Sequence, residues 1–468
     1  MNKFVNRNKE LEALEVEYKR KTSSMFILYG RRRVGKTALI RQFIKEKTAV
    51  YFLATEENER QNMTAFKDIV ASYTENELLA KSQVSEWRII FETLIKYPTK
   101  GKKVIIIDEF QYLGKVNPAF PSIIQKVWDT LLKDSNVMLI LCGSFISMME
   151  SQTLSYNSPL YGRRTGQIRL KPIQYKYYNE FFPEKYGRDL VEYFAVTGGV
   201  PKYIELFNDY DDIYDAIEHN ILSPSSFLYD EPNFLLQREV AQVGTYFSII
   251  KSIAAGNHKV SRIASDLEFK ATGLSKYLEI LINLDILERQ VPVTEKNPAK
   301  SKKGLYQIKD YFLLFWFKFI YPNLSYIESG NIDYVMNRIK TNFVDGHVAY
   351  VYEDLCLESM WQLNADGIWP FHFDHAGRFW DKNTEIDIVA LDNDKGNIIF
   401  GECKYWKKPV GINILDNLKA KSGNVKWKTG DRKEHFVLFS MSGFTSELEK
   451  LAKEDTSLTL FSEVLNAD

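Results

Sequence analysis

The chain has 468 residues, 61 Lys plus Arg against 61 Asp plus Glu, 45% apolar and 14% aromatic residues, 24 Gly and 14 Pro. That length predicts about three domains, each with apolar surface enough for its own core, and the composition excludes disordered, collagen-like and disulfide-scaffold classes. Zero formal net charge excludes a uniformly basic nucleic-acid coat, so any nucleic-acid surface must be local.

Cys142, Cys356 and Cys403 are widely spaced with no Cys-x-x-Cys pair, which argues against a disulfide framework or zinc ribbon and for a reducing compartment. The amino terminus lacks a signal-type apolar core. The most apolar run, residues 311–322, is interrupted by Lys318 and too short to span a bilayer. A cytoplasmic protein with no membrane partner is expected.

The first element is an apolar strand over Ser24–Tyr29, followed by Gly30-Arg31-Arg32-Arg33-Val34-Gly35-Lys36-Thr37 and a helical stretch from Ala38. Strand, Gly-x-x-x-x-Gly-Lys-Thr loop and helix together make a P-loop. Its glycines let the backbone curl so that amides point at phosphate oxygens, and the helix N-terminus adds its positive end. Lys36 is expected on the β- and γ-phosphates of ATP, with the Thr37 hydroxyl on Mg²⁺.

Next, Lys102-Lys103 introduces the apolar strand Val104-Ile105-Ile106-Ile107, which ends in Asp108-Glu109. A strand apolar on both faces belongs in the middle of a parallel sheet, with its C-terminal end in the ligand crevice. Asp108 suits the Mg²⁺ shell, and Glu109 suits orientation or deprotonation of the attacking water, which favours hydrolysis over passive binding. A further strand over residues 136–143 ends in Ser144, a candidate sensor of the γ-phosphate. Arg163 and Arg164 follow a turn and are candidate arginine fingers, in cis or from a neighbouring subunit; the alternative is a solvated basic loop.

Phe4-Val5-Asn6-Arg7-Asn8-Lys9-Glu10-Leu11, the P-loop, Asp108-Glu109, Gly143-Ser144-Phe145, Leu160-Tyr161-Gly162-Arg163-Arg164-Thr165 and Gly198-Gly199-Val200-Pro201-Lys202-Tyr203 together resemble the archaeal-type P-loop ATPases of the AAA-like superfamily, its STAND and ORC-like branch. The resemblance covers residues 1–230. It implies an extra strand between the P-loop strand and the Asp-Glu strand, and a helical lid opened by Gly199-Val200-Pro201, with Pro201 near the adenine. The three P-loop arginines depart from what phosphate binding requires.

Residues 231–310 read as a winged helix-turn-helix: helices over 246–255, 259–267 and 274–287, then a hairpin over 288–293 and 304–308 with a basic tip from Lys296 to Lys303. From 245 to 310 there are 11 Lys plus Arg against 7 Asp plus Glu, an excess of four. Lys276 and the wing lysines suit sequence-indifferent phosphate contacts to DNA; the alternative is a protein-binding or lid element.

Residues 311–468 open with an aromatic run (Tyr311, Phe312, Phe315, Trp316, Phe317, Phe319), expected to be a core helix that seats the winged helix on the C-terminal domain. A strand holding Asp387 then pairs across a turn with a strand holding Glu402, Cys403 and Lys404. With a period of two, Glu402 and Lys404 share one side. Asp387 and Glu402 are candidate Mg²⁺ ligands and Lys404 a candidate positioner of water or phosphate. This Asp…Glu-x-Lys pattern resembles the restriction-endonuclease-like (PD-(D/E)XK nuclease) fold, which implies that Glu353 on a preceding helix completes the metal shell. The segment as a whole resembles the C-terminal domain of unknown function found in archaeal-type ATPases. Lys419 is a weaker phosphate candidate, and His372 with His375 lack a third zinc ligand nearby.

The expectation is an α/β protein with an AAA-like P-loop ATPase domain and helical lid, a winged helix, and a restriction-endonuclease-like α/β domain. It would bind and hydrolyse ATP with Mg²⁺, act on DNA, and form a homo-oligomer if the finger acts in trans. The alternative is an ATP-dependent regulatory switch whose nuclease-like domain is inactive.

Overall fold

The computed structural model describes residues 4–462. Contacts divide the chain into two compact units. Among the described residues, one holds 4–173 with 200–202 and 235–241; the other holds 174–199, 203–234 and 242–462. Most of the expected lid segment therefore groups with the second unit.

The first unit is built on a five-stranded sheet of β1 (Ser24–Tyr29), β2 (Ala49–Leu53), β3 (Lys103–Asp108), β4 (Val137–Gly143) and β5 (Gly166–Arg169), in the order β2-β3-β4-β1-β5. All four pairings are parallel. Every residue of β1, β3 and β4 is buried, as their unbroken apolar runs require of strands covered on both faces. β4 lies between β3 and β1, the inserted strand that the family resemblance implies. Leu28, Leu39, Phe43, Ile106 and Ile140 share one core, which ties the P-loop helix Lys36–Ile44 to the sheet. Truncating a side chain such as Ile106 to Ala costs about 2–5 kcal/mol.

In the second unit, helices Val243–Ala254, Val260–Asp266 and Ala271–Asn283 precede a hairpin of β6 (Leu287–Gln290) and β7 (Leu305–Ile308). The third helix stops before the expected 287 because Asp285 takes a left-handed φ of 59°, a break that no glycine announces. The hairpin also ends early. Pro292 has no amide, and the Val293 amide donates to Arg378 O (3.0 Å) instead of pairing with β7. The linking loop folds back on itself, with the Arg289 guanidinium donating to Pro298 O (2.9 Å) and Ser301 O (2.6 Å).

The aromatic run forms the helix Tyr311–Phe315 and a widened turn, Trp316–Ile320. It bridges as expected. Phe317 packs on Phe247 of the three-helix module at 5.0 Å, and the Tyr311 hydroxyl donates to Asp354 (3.2 Å) in the helix Ala349–Ala365. A second sheet, β12-β11-β10-β9-β8, is formed by β8 (His375–Trp380), β9 (Glu385–Leu391), β10 (Asn397–Lys404), β11 (Lys433–Ser440) and β12 (Leu458–Phe461). β8, β9 and β10 run antiparallel, whereas β10, β11 and β12 are parallel. No described helix is long and apolar enough to cross a membrane.

Candidate active site and a second carboxylate cluster

At the C-terminal end of β1 the chain turns at Gly30, where a Cβ would lie 2.4 Å from Leu170 O, so only glycine fits. Gly35 (φ 95°) caps the helix Lys36–Ile44, and Arg33 also takes a left-handed φ of 69°. Val34 is buried in the core beside Leu39, while Ala38 is exposed on the first helical turn. Pro201 lies over this turn, its Cγ 3.8 Å from where a Cβ on Gly35 would stand. The buried Lys36 ammonium donates to Gly30 O and Arg31 O, both at 2.8 Å. Burial lowers its pKa, opposed by the charges of Glu109 and Asp108.

Asp108, at the end of β3, accepts from the Thr37 hydroxyl (3.2 Å) and the Tyr51 hydroxyl (2.5 Å) on Oδ2, and from the Glu109 amide (2.9 Å) on Oδ1. Glu109 has a left-handed φ of 54°, and its Oε2 accepts from the Ser144 hydroxyl at 2.6 Å and from Gln111. The fold therefore brings Lys36, Thr37, Asp108, Glu109 and Ser144 together around one loop. A hydroxyl beside a carboxylate, with phosphate oxygens as the remaining donors, fits Mg²⁺.

Two P-loop arginines face a layer that the motif does not reveal. Arg32 donates to the Tyr112 hydroxyl (2.9 Å) and lies over Phe145 at 5.3 Å. Arg238 donates to the same hydroxyl (3.0 Å). Its neighbour Glu239 accepts from the Ile146 amide (3.0 Å), the Ser147 amide (3.4 Å) and the Ser147 hydroxyl (3.0 Å), directly after Ser144 and Phe145. Burial raises the Glu239 carboxyl, opposed by these hydrogen bonds and by the charge of buried Arg31.

Arg163 and Arg164 lie away from the P-loop. Thr165 N donates to Met25 O, and β5 starts opposite Phe26, so both arginines sit at the N-terminal end of β1. The P-loop leaves from the other end, an arrangement that suits a neighbouring subunit's site or a solvated loop better than the chain's own P-loop. Arg163 forms a fork with Asp129 (2.9 and 3.3 Å) and donates to Pro159 O, while Arg164 lies over Tyr161 at 5.2 Å.

The C-terminal carboxylates are arranged differently. Asp387 on β9 accepts from the Cys403 amide at 2.9 Å. Glu402 on β10 accepts from Lys404 (2.7 Å) and from Lys421 (3.0 and 3.1 Å), a residue two places past the expected Lys419. Lys419 itself faces Asp455 at 3.8 Å. Glu353 is paired with Arg378, which also holds Asp354 (2.9 Å). Burial raises the Asp387 and Glu353 carboxyls, helped by the charges of Glu402 and Asp387 respectively. Lys404 is raised, because Glu402 and Asp387 outweigh its desolvation.

Glu353, Asp387 and Glu402, the expected Mg²⁺ ligands, each meet protein donors. Two of the three carboxylates already hold ammonium or guanidinium partners, and among the described residues no group of three His, Cys, Asp or Glu side chains could hold a metal ion. Lys421, Arg378 and Glu239 escape a motif search because their partners lie 19, 25 and 93 positions away.

The family described as "ATPase domain predominantly from Archaea" matches residues 4–207, and the family described as "Archaea bacterial proteins of unknown function" matches residues 316–435. An uncharacterized protein of Methanocaldococcus jannaschii is 38% identical over 404 residues, spanning 86% of this chain and 88% of that protein. An uncharacterized ATP-binding protein of the same organism is 54% identical over 44 residues, 9% of this chain and 75% of that protein. The Walker-type ATPase of Pyrococcus abyssi shares the fold, with a TM-score of 0.52 at 20% identity over 67% of this chain and 96% of that chain. With the P-loop geometry, these matches show that the chain belongs to the archaeal family of P-loop ATPases that carry this C-terminal domain of unknown function.

Proposed function

We propose that this ATPase acts on DNA, and that its nucleotide state is passed to the three-helix module. The observation that carries the catalytic half is the meeting of Thr37 and Asp108 at 3.2 Å with Glu109 held by Ser144. Lys36 would leave the Gly30 and Arg31 carbonyls for the β- and γ-phosphates, and Glu109 would orient the attacking water and take its proton. Mg²⁺, when held by Thr37 and Asp108, neutralises phosphate charge. Pro201, whose Cγ lies 3.8 Å from where a Cβ on Gly35 would stand, would face the adenine.

Coupling is supported by a continuous path. Glu109 touches Ser144, and the turn after Ser144 is capped by Glu239. Four positions after Glu239 the helix Val243–Ala254 begins. A γ-phosphate that draws Ser144 away from Glu109 would shift the Ile146 amide against Glu239, and with it the approach to the module.

Three helices followed by a hairpin support the winged-helix reading, and exposed Lys276, Lys296, Lys300 and Lys302 support phosphate contacts to DNA. Lys303 is held by Glu295 at 2.6 Å, so three of the four tip lysines suit phosphate, Lys300 and Lys302 beside Lys296. Replacing Lys300 and Lys302 with Ala should weaken duplex binding evenly across sequences and reduce the log-log salt slope by about two. A slope that does not move would assign the module to protein.

The mixed sheet behind the helix Ala349–Ala365 supports a nuclease-like framework, but the paired state of Glu353 and Glu402 favours the second reading, a regulatory switch whose nuclease-like domain does not cut. Arg163 and Arg164 suit a finger offered to a second copy of the chain. The three free, buried cysteines support a reducing, cytoplasmic setting.

A further inference from the structure

We infer that Lys404, Lys421 and Trp406 form a metal-independent seat for a single nucleic-acid strand, with a phosphate on the two ammoniums and a base on the indole. The inference rests on the proposal that the chain acts on nucleic acid and names what the C-terminal domain takes hold of.

Glu402 is the hub. It is only 8% exposed, yet it draws Lys404 from its own strand and Lys421 from the helix Ile412–Ser422 onto one carboxylate. Each ammonium has three donors, and Glu402 occupies one of Lys404's and accepts Lys421 on both oxygens. Lys404 and Lys421 face two carboxylates, Glu402 and the neighbouring Asp387, so the excess positive charge comes from exposed Lys407 and Lys408, while Lys404 and Lys421 keep donors that Glu402 does not occupy. An anion is the chemistry that these four lysines suit, and a phosphodiester is the anion that a DNA-acting protein meets.

Trp406 supplies the second element. Its ring is 45% exposed and lies 5.7 Å from the Lys404 ammonium. The backbone beneath it is held, because Trp406 O accepts from the Ser442 hydroxyl (2.5 Å), which in turn accepts from Arg188 (2.7 Å). The indole is therefore presented on an anchored turn rather than on a loose loop. Lys407 and Lys408 come directly after it, both exposed. A flat aromatic face beside clustered ammoniums is the stacking and charge combination that binds unpaired strands, since base faces are accessible only outside a duplex. An acidic peptide would use the lysines but leave the indole without a partner.

The test is fluorescence anisotropy of a labelled thymidine oligonucleotide with the full chain, without ATP, in Mg²⁺ and in EDTA. Equal affinity in the two buffers is expected. Trp406→Ala should weaken binding about tenfold, with Trp406→Phe recovering most of it, and Lys421→Ala should lower the salt slope by about 0.7. An unchanged circular-dichroism spectrum and melting transition in Trp406→Ala show that the variant is folded. Binding lost in EDTA, binding indifferent to Trp406→Ala, or equal competition by polyglutamate overturns the inference. Duplex binding that depends on Lys300 and Lys302, with the single strand ignored, overturns the inference alone; no binding of either form overturns the DNA reading as well.

Discussion

Two acidic sites on this chain differ in what their carboxylates hold. Asp108 is held by two hydroxyls and a backbone amide, all neutral donors that bring no charge of their own to the carboxylate. Glu402 is held by two ammoniums and Glu353 by a guanidinium. Displacing a neutral hydroxyl costs one hydrogen bond, about 1 kcal/mol net. Displacing a half-buried ammonium breaks a charge-assisted hydrogen bond, about 1.5–3 kcal/mol. Counting carboxylates in a motif therefore says less about metal binding than counting their partners.

The comparison is broken most forcefully at the first site. Lys36→Ala should abolish nucleotide binding, whereas Glu109→Gln should leave binding intact and lower turnover by a factor on the order of 10³. Equilibrium binding of a nucleotide beside steady-state hydrolysis separates the two, and wild-type turnover in Glu109→Gln would contradict the role of Glu109.

A comparable loss of about 10³ in kcat is expected from Arg164→Ala or Arg163→Ala, because a trans finger stabilises charge only in the transition state. Mixing either variant with Glu109→Gln should recover part of the turnover, since a mixed pair holds one intact site. No recovery would contradict the trans arrangement.

The P-loop and the Asp-Glu strand were legible because strand, loop and helix are contiguous and their chemistry is local. The inserted position of β4 needed the family pattern. That Arg163 and Arg164 lie away from the P-loop was also recoverable in principle: residues that precede a strand of a parallel sheet sit at the end opposite the ligand crevice. The pairing of Glu402 with Lys421 was not recoverable, because helical spacing over 412–422 offers Lys419 and Lys421 alike and only the packing of that helix on β10 chooses between them. The early end of β6 was similarly hidden, since the competing acceptor, Arg378 O, belongs to a strand 85 residues away.

The second site can be moved toward the first by Lys421→Ala. Glu402 would keep Lys404 alone, and Mn²⁺ affinity at the C-terminal domain should rise about tenfold or more from its low starting value. Calorimetry of this variant beside the wild type checks it, and unchanged affinity would mean that Lys421 is not what excludes the ion.

The smallest expected effect is that of Glu239→Gln. An amide keeps one acceptor but adds a donor facing the Ile146 and Ser147 amides, a cost of about 1–3 kcal/mol in stability. ATP hydrolysis should stay within a few-fold of wild type while the change in DNA affinity on adding ATP disappears. Retained coupling would place the path elsewhere.

The central claim, that one acidic site takes a divalent ion and the other excludes it, is tested most directly by counting Mn²⁺ bound to the full chain in the presence of a non-hydrolysable ATP analogue. One ion per chain is predicted, lost in Asp108→Asn and unaffected by Asp387→Asn. A second ion that disappears in Asp387→Asn would contradict the account.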